Sequence, residues 1–173
     1  MKLLKFLVPF PIQMTSEIPH EIHDVFLKPC EFHWGDSSTR IRTLLGSCVA
    51  VCVWHPKYKI GGMTHSLLPT RSESNAELSA RFVDEGVELL FQETKRAMTK
   101  SSDYVCKIFG GGKMFPWFSR PDSAPGARNL EVLTHALAKA GFTIVANQTG
   151  LSGHRSIIFE LWSGDVWMRH QKL

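Results

Sequence analysis

A chain of 173 residues is long enough for one domain with a sizeable core and short for two. Its 43% hydrophobic and 21% charged residues are those of an ordinary globular protein, which excludes a disordered polar tract, a collagen-like repeat and a coiled-coil rod. The 20 Lys and Arg against 16 Asp and Glu leave only +4, without the basic stripe that nucleic-acid binding uses; Lys95, Arg96 and Lys100 read as the solvated face of a helix.

In the opening MKLLKFLVPFPIQ, Pro9 and Pro11 interrupt the apolar run and no small-residue cleavage site follows, so no secretion signal is expected. No run approaches the roughly 18 apolar residues of a membrane span. Cys30, Cys48, Cys52 and Cys106 therefore read as reduced thiols, with the cytoplasm as the expected compartment. Residues 1–23 show no hydrophobic period and are expected to be a poorly ordered N-terminal extension, with Met14 as an alternative start, ahead of a domain over 24–173.

Short strands are predicted for VFLKP and for Glu31 to Trp34, with a turn over Gly35 to Ser38. In IRTLLGSCVAVCVWHP, the small and β-branched half from Cys48 to Trp54 lies between Gly46 and Pro56 and predicts a buried strand, with Cys48, Ala50 and Cys52 on one face. KIGGMTHSLLP predicts a neighbouring strand from Gly62 to Leu68, with Gly61 and Gly62 easing the turn between the two. Leu78, Phe82, Val83, Val87, Leu90 and Phe91 carry the amphipathic pattern of a helix over 75–98. VCKIFG is a strand broken by Gly110 to Gly112, and a second helix runs from Asn129 to Ala140, where Gly141 stops it. FTIVAN, SIIFEL and DVWMR are strands turning at Gly150, Gly153 and Gly164. The expected fold is a single α/β domain, a largely β core of mixed sheets covered by two main helices.

Gly46-Ser47-Cys48 places a thiol where a tight turn meets a strand, and unpaired backbone N–H groups there suit an oxyanion. The nearest plausible base on an adjacent strand is His65, 17 residues on, and such a pair is the requirement for a thiolate nucleophile. By themselves these residues read more readily as a small buried thiol and a hydrogen-bonded core histidine. Gly110, Gly111, Gly112 and Lys113 lack the earlier glycine and the hydroxyl residue of a phosphate loop, since Met114 follows. Cys48, Cys52 and His55 do not have zinc-ligand spacing, and no metal or cofactor is expected. His20, His23, His33, His135, His154 and His170 read as surface residues. Trp117 and Phe118 read as aromatic core.

TLLGSCVAVCVWHP, KIGGMTHSLLP, KIFGGGKMF, GARN and TGLSGHRS, in that order, resemble the chemoreceptor glutamine deamidase family (CheD) of bacterial and archaeal chemotaxis, over about Val25 to Arg169. The resemblance implies a CheD-like α/β sandwich that hydrolyses selected glutamine side chains on methyl-accepting chemoreceptors to glutamate, without a cofactor. Cys48 matches the family's nucleophile and His65 its catalytic histidine. The family's catalytic threonine stands six positions before the cysteine, which here is Arg42, with Thr43 one residue later. Strand alternation puts those two side chains on opposite faces, and a local bulge would restore Thr43 to the histidine. Asn129 and Arg155 match polar positions expected to hold loops or touch the receptor. A phosphatase of the pathway is a possible regulatory partner. The alternative reading is a receptor-binding module with weak or no catalysis.

Overall fold

The computed structural model describes residues 4–6, 17–72, 77–114 and 125–172. Among the described residues the chain forms ten strands: β1 Leu4–Phe6, β2 His23–Phe26, β3 Phe32–Gly35, β4 Thr39–Leu45, β5 Val49–His55, β6 Ile60–Ser66, β7 Val105–Gly110, β8 Thr143–Thr149, β9 His154–Glu160 and β10 Asp165–Gln171. Two helices, α1 Val83–Arg96 and α2 Pro125–Ala140, complete the fold. The strands form two five-stranded sheets, ordered β1-β10-β9-β4-β2 and β3-β6-β5-β7-β8. Each mixes antiparallel pairs with one parallel pair, β2 with β4 and β7 with β8.

The central strand β5 shows why the layers stack as they do. Ala50 and Cys52 join Leu27, Ile41, Leu45, Met63, Phe109, Ile157 and Phe159 in the core between the sheets. The alternate residues Val49, Val51 and Val53 pack with Val83, Val87 and Leu90 of α1 and Leu133 and Leu137 of α2. A strand buried on both faces reads as a continuous apolar run rather than an alternating one, which is the VAVCV pattern.

Several boundaries depart from the sequence reading. Leu4–Phe6 pairs antiparallel with β10 and β2 begins at His23; residues 7–16, Met14 among them, lie outside the described residues. β4 is a strand that the sequence reading does not delimit; its Arg40 and Arg42 point outward and pair with Asp24 at 3.0 and 2.8 Å. α1 starts at Val83 rather than 75, leaving Leu78 outside the helix, and α2 starts at Pro125, four residues before Asn129. Proline fits a first helical turn, where its missing N–H is no loss. Gly61 and Gly62 lie inside β6, not in the preceding turn. A Cβ on Gly61 would run into the Val53 carbonyl, and one on Gly62 into the His33 carbonyl and the Trp34 ring. Close strand approach requires these glycines. Trp117 and Phe118 lie outside the described residues.

Candidate active site

The nucleophile candidate sits at one end of the helix-covered sheet. β5 begins at Val49, which pairs with Ser66 at the end of β6 and with Gly110 at the end of β7. The three residues joining β4 to β5 are Gly46, Ser47 and Cys48. This loop is held from the β7 side, where the Gly112 N–H donates to the Gly46 carbonyl at 2.9 Å and the Gly111 N–H to the Cys48 carbonyl at 2.8 Å. Gly110 has φ +101°, and a Cβ there would collide with the Cys48 carbonyl, so the close approach needs glycine.

His65 is opposite Ala50 in the β5–β6 ladder. Cys48, two residues before Ala50, packs against the same inter-sheet core. The cysteine is therefore the diagonal neighbour of His65, at about 7 Å between backbones and within reach of a long side chain. His65 is 1% exposed. Its Nδ1 lies 2.8 Å from Thr43 Oγ1, and Thr43 Oγ1 donates to the Leu27 carbonyl at 2.8 Å. A hydroxyl has one proton to give; with that proton committed to Leu27, Thr43 accepts from His65 Nδ1–H. The proton count thus puts the imidazole lone pair on Nε2, which is buried and has no hydrogen-bond partner among the described residues.

Thr43 reaches His65 without any bulge. It lies in a regular ladder with Ile157 opposite and faces the core with Ile41 and Leu45. Arg42 faces outward to Asp24. We expect Thr43→Val to leave Nδ1–H and the Leu27 carbonyl unpaired, costing about 1–3 kcal/mol of stability and about 10²-fold in kcat through loss of the tautomer. Thr43→Ser keeps both hydrogen bonds and should recover most of each; a serine variant as impaired as valine would exclude this role.

Burial holds the His65 pKa below its ordinary value, opposed by the Leu27 carbonyl and the Glu31 charge. Burial also pushes the Cys48 thiol up, Cys30 adds to that, and the Cys48 backbone N–H opposes it. Both shifts favour the uncharged forms, a protonated thiol and a neutral imidazole. Cys52 and Cys106 are buried thiols; burial pushes Cys52 far up, opposed by the Lys107 charge, and pushes Cys106 up to about 12. Among the described residues no three His, Cys, Asp or Glu side chains are grouped to hold a metal.

Cys30 was not singled out in the sequence. It occupies the third position of a turn closed by the Glu31 N–H to Lys28 carbonyl bond at 3.2 Å, with Pro29 second, and has φ +71°. That position favours glycine. Its N–H donates to the His65 carbonyl at 2.8 Å, which brings this second thiol to the site. Cys30→Gly relieves the left-handed strain, so its Tm should stay level or rise by about 2–4 °C. Removing the neighbouring thiol should also move the pH profile of Cys48 alkylation downward; a profile that stays put would show that the two sulfurs do not interact.

Two further polar residues fasten the surroundings. Asn129 Nδ2 on α2 donates to the Leu67 carbonyl, just beyond β6, at 3.1 Å. Arg155 Nη2 donates to the Gly150 carbonyl at 2.6 Å. Both side chains are about 1% exposed, and they tie together the segments that flank Cys48.

Residues 67–170 match the family model "CheD chemotactic sensory transduction". A protein of Dechloromonas aromatica (strain RCB) named "Probable chemoreceptor glutamine deamidase CheD 3" is 43% identical, over 88% of this chain and 91% of its own. This chain belongs to the CheD family. A "Probable chemoreceptor glutamine deamidase CheD" of Pseudomonas fluorescens (strain SBW25) is 40% identical over 87% of this chain and 86% of that protein. Among solved structures, YlmD from Geobacillus stearothermophilus is similar with a TM-score of 0.47 at 12% identity, covering 90% of this chain and 72% of that one. The matched CheD model begins at Leu67, whereas the Cys48, His65 and Thr43 cluster precedes it and lies within the longer span shared with the relatives.

Proposed function

We propose that this CheD protein deamidates protein-bound glutamine on methyl-accepting chemoreceptors, with Cys48 as nucleophile, His65 as general base and acid, and Thr43 as the group that orients His65. The observation that carries this assignment is the Thr43–His65 hydrogen bond, whose proton count leaves an unpartnered Nε2 lone pair on the core face shared with Cys48.

In this reading His65 Nε2 takes the thiol proton as the Cys48 sulfur attacks the glutamine amide carbon. The Cys48 backbone N–H lies beside the sulfur and, with donors around Ser47, holds the oxyanion. Protonated His65 gives its proton to the leaving nitrogen, ammonia departs and a thioester remains. Water, deprotonated by Nε2, then cleaves the thioester, leaving glutamate and a free thiol.

The reading is tested by incubating the protein with a purified chemoreceptor cytoplasmic fragment. Replacing NH2 by OH adds about one dalton per converted glutamine, with one ammonia released. Binding without a mass gain would favour the non-catalytic module instead. A phosphatase of the chemotaxis pathway as regulatory partner is part of the same proposal, read by whether adding it changes the rate. The cytoplasm is the compartment proposed; no helix among the described residues is long and apolar enough to cross a membrane.

A further inference from the structure

Leu27 to Glu31 carries the chain from β2 in one sheet to β3 in the other, and it makes that crossing against the Thr43–His65 pair. The Leu27 carbonyl takes the Thr43 proton. Three residues on, the Cys30 N–H donates to the His65 carbonyl at 2.8 Å, and the Glu31 carbonyl accepts from the His65 N–H at 3.0 Å. Two residues of this segment thus stand against one residue of β6, which is a β-bulge with Cys30 in its first position. When that position is left-handed it is ordinarily glycine, and here a cysteine holds it at φ +71°. A side chain kept in a sparsely populated conformation beside a reacting centre points to a use for that side chain.

That side chain is a thiol, and a second thiol is near. Cys48 stands on the other side of β6, at the diagonal of His65, and the charge of Cys30 is felt at its sulfur, where it adds to the upward shift. Both thiols are half-buried, whereas Cys52 is sealed in the inter-sheet core and Cys106 under the helices. Of the four cysteines in the chain, the two that are not shut away from solvent are therefore the two beside His65. In the proposed mechanism His65 Nε2 draws the Cys48 proton, and a thiolate open to solvent is the form that a hydroperoxide oxidises.

We propose that Cys30 is the resolving thiol of a redox-active pair with Cys48, so that a hydroperoxide converts the protein to a Cys30–Cys48 disulfide and switches the deamidase off. The pair needs Cys48 to be the nucleophile and so rests on the deamidase reading above. The Cys48 thiolate attacks one oxygen of hydrogen peroxide and the O–O bond breaks. Its sulfur is oxidised to a sulfenic acid, and the other oxygen, reduced, leaves with a proton as water. The Cys30 thiolate then attacks the Cys48 sulfur, the S–S bond forms, the S–O bond breaks, and hydroxide takes a proton to leave as the second water. Two thiols and one peroxide thus give one disulfide and two waters. A disulfide needs the two Cα atoms about 4.4–6.8 Å apart. The travel falls to the Lys28–Glu31 turn, whose tie to β6 at Cys30 is the hydrogen bond to the His65 carbonyl. In a reducing compartment such a bridge is transient and is reopened by thiols, which shields the nucleophile from irreversible oxidation.

The full chain, treated with a small molar excess of hydrogen peroxide, is followed by intact mass, by ammonia release from the chemoreceptor cytoplasmic fragment, and by proteolysis without reductant. The wild type should lose about 2 Da and about ten-fold or more of its activity. It should yield a linked peptide pair holding Cys30 and Cys48, and dithiothreitol should restore the activity. Cys30→Gly, which suits the left-handed position, should instead gain about 32 Da as the Cys48 sulfinic acid and stay inactive after dithiothreitol. A wild type that keeps its mass, or gains oxygen without the linked pair, overturns the proposal and leaves the deamidase reading standing. So does a Cys30→Gly protein that dithiothreitol restores as fully as the wild type. A wild type that releases no ammonia before any oxidant defeats the deamidase reading, and the mass and the linked peptides then decide separately whether the bridge forms.

Discussion

Cys48→Ala will release no measurable ammonia from a chemoreceptor fragment, a loss of about 10⁴-fold or more. In the proposed mechanism the sulfur is the group that bonds to the amide carbon, and no other described thiol is placed to replace it. Cys52 and Cys106 are buried with thiols driven far from ionisation, and Cys30 lies across β6 from β5, on the turn that leads into β3. The substitution removes one half-buried atom from a loop whose shape is set by backbone bonds to Gly111 and Gly112. Its cost to stability should be about 1 kcal/mol or less, so thermal melting will separate lost chemistry from lost fold. The checks are ammonia release and receptor mass side by side. Activity of the alanine variant above a hundredth of wild type would assign the chemistry to another group.

His65→Gln is expected to be the next most damaging change, lowering kcat by about 10²–10⁴-fold, the range of a general acid–base residue. Its pH behaviour carries more information than its size. Burial holds the imidazole pKa below its ordinary value of about 6.5, so the acid limb of wild-type kcat/KM should fall below pH 6.5 rather than at it. Glutamine has no such titration, and the residual rate of the variant should simply rise with pH as Cys48 ionises. The same shift bears on stability. Because the folded pKa is depressed, the folded state binds fewer protons than the unfolded chain once the pH drops below 6.5. That contribution is whole above 6.5 and is lost as pH falls through the folded pKa. Melting profiles at pH 5 and 7 should accordingly show a smaller acid loss in the glutamine variant. An acid limb that survives unchanged in His65→Gln would mean that another group sets it.

Much of the molecule was legible from patterning. The VAVCV run announced a buried strand, and the α1 periodicity named Val83, Val87 and Leu90 within its apolar set. Where the reading failed, a tertiary partner had overridden a local signal. The arginines of β4 sit on its outward face, where β2 comes alongside in parallel and brings Asp24 to both. Gly61 and Gly62 looked like turn residues because glycine most often marks turns, whereas here it admits the backbones of β5 and β3. The α1 boundary slipped because Leu78 matches the helical spacing although it lies outside the helix, whose first hydrogen-bonded turn begins at Phe82.

Residue types and their spacing along the chain were enough to nominate Cys48 and His65, since a thiol at a tight turn and a histidine on the next strand form a pattern local to one hairpin. They were not enough to place Thr43, whose strand belongs to the other sheet and meets His65 across the inter-sheet core. Local sequence determines which way a side chain points from its own strand. Which strands face each other, and with what register, is decided only when the two sheets bury their apolar faces together.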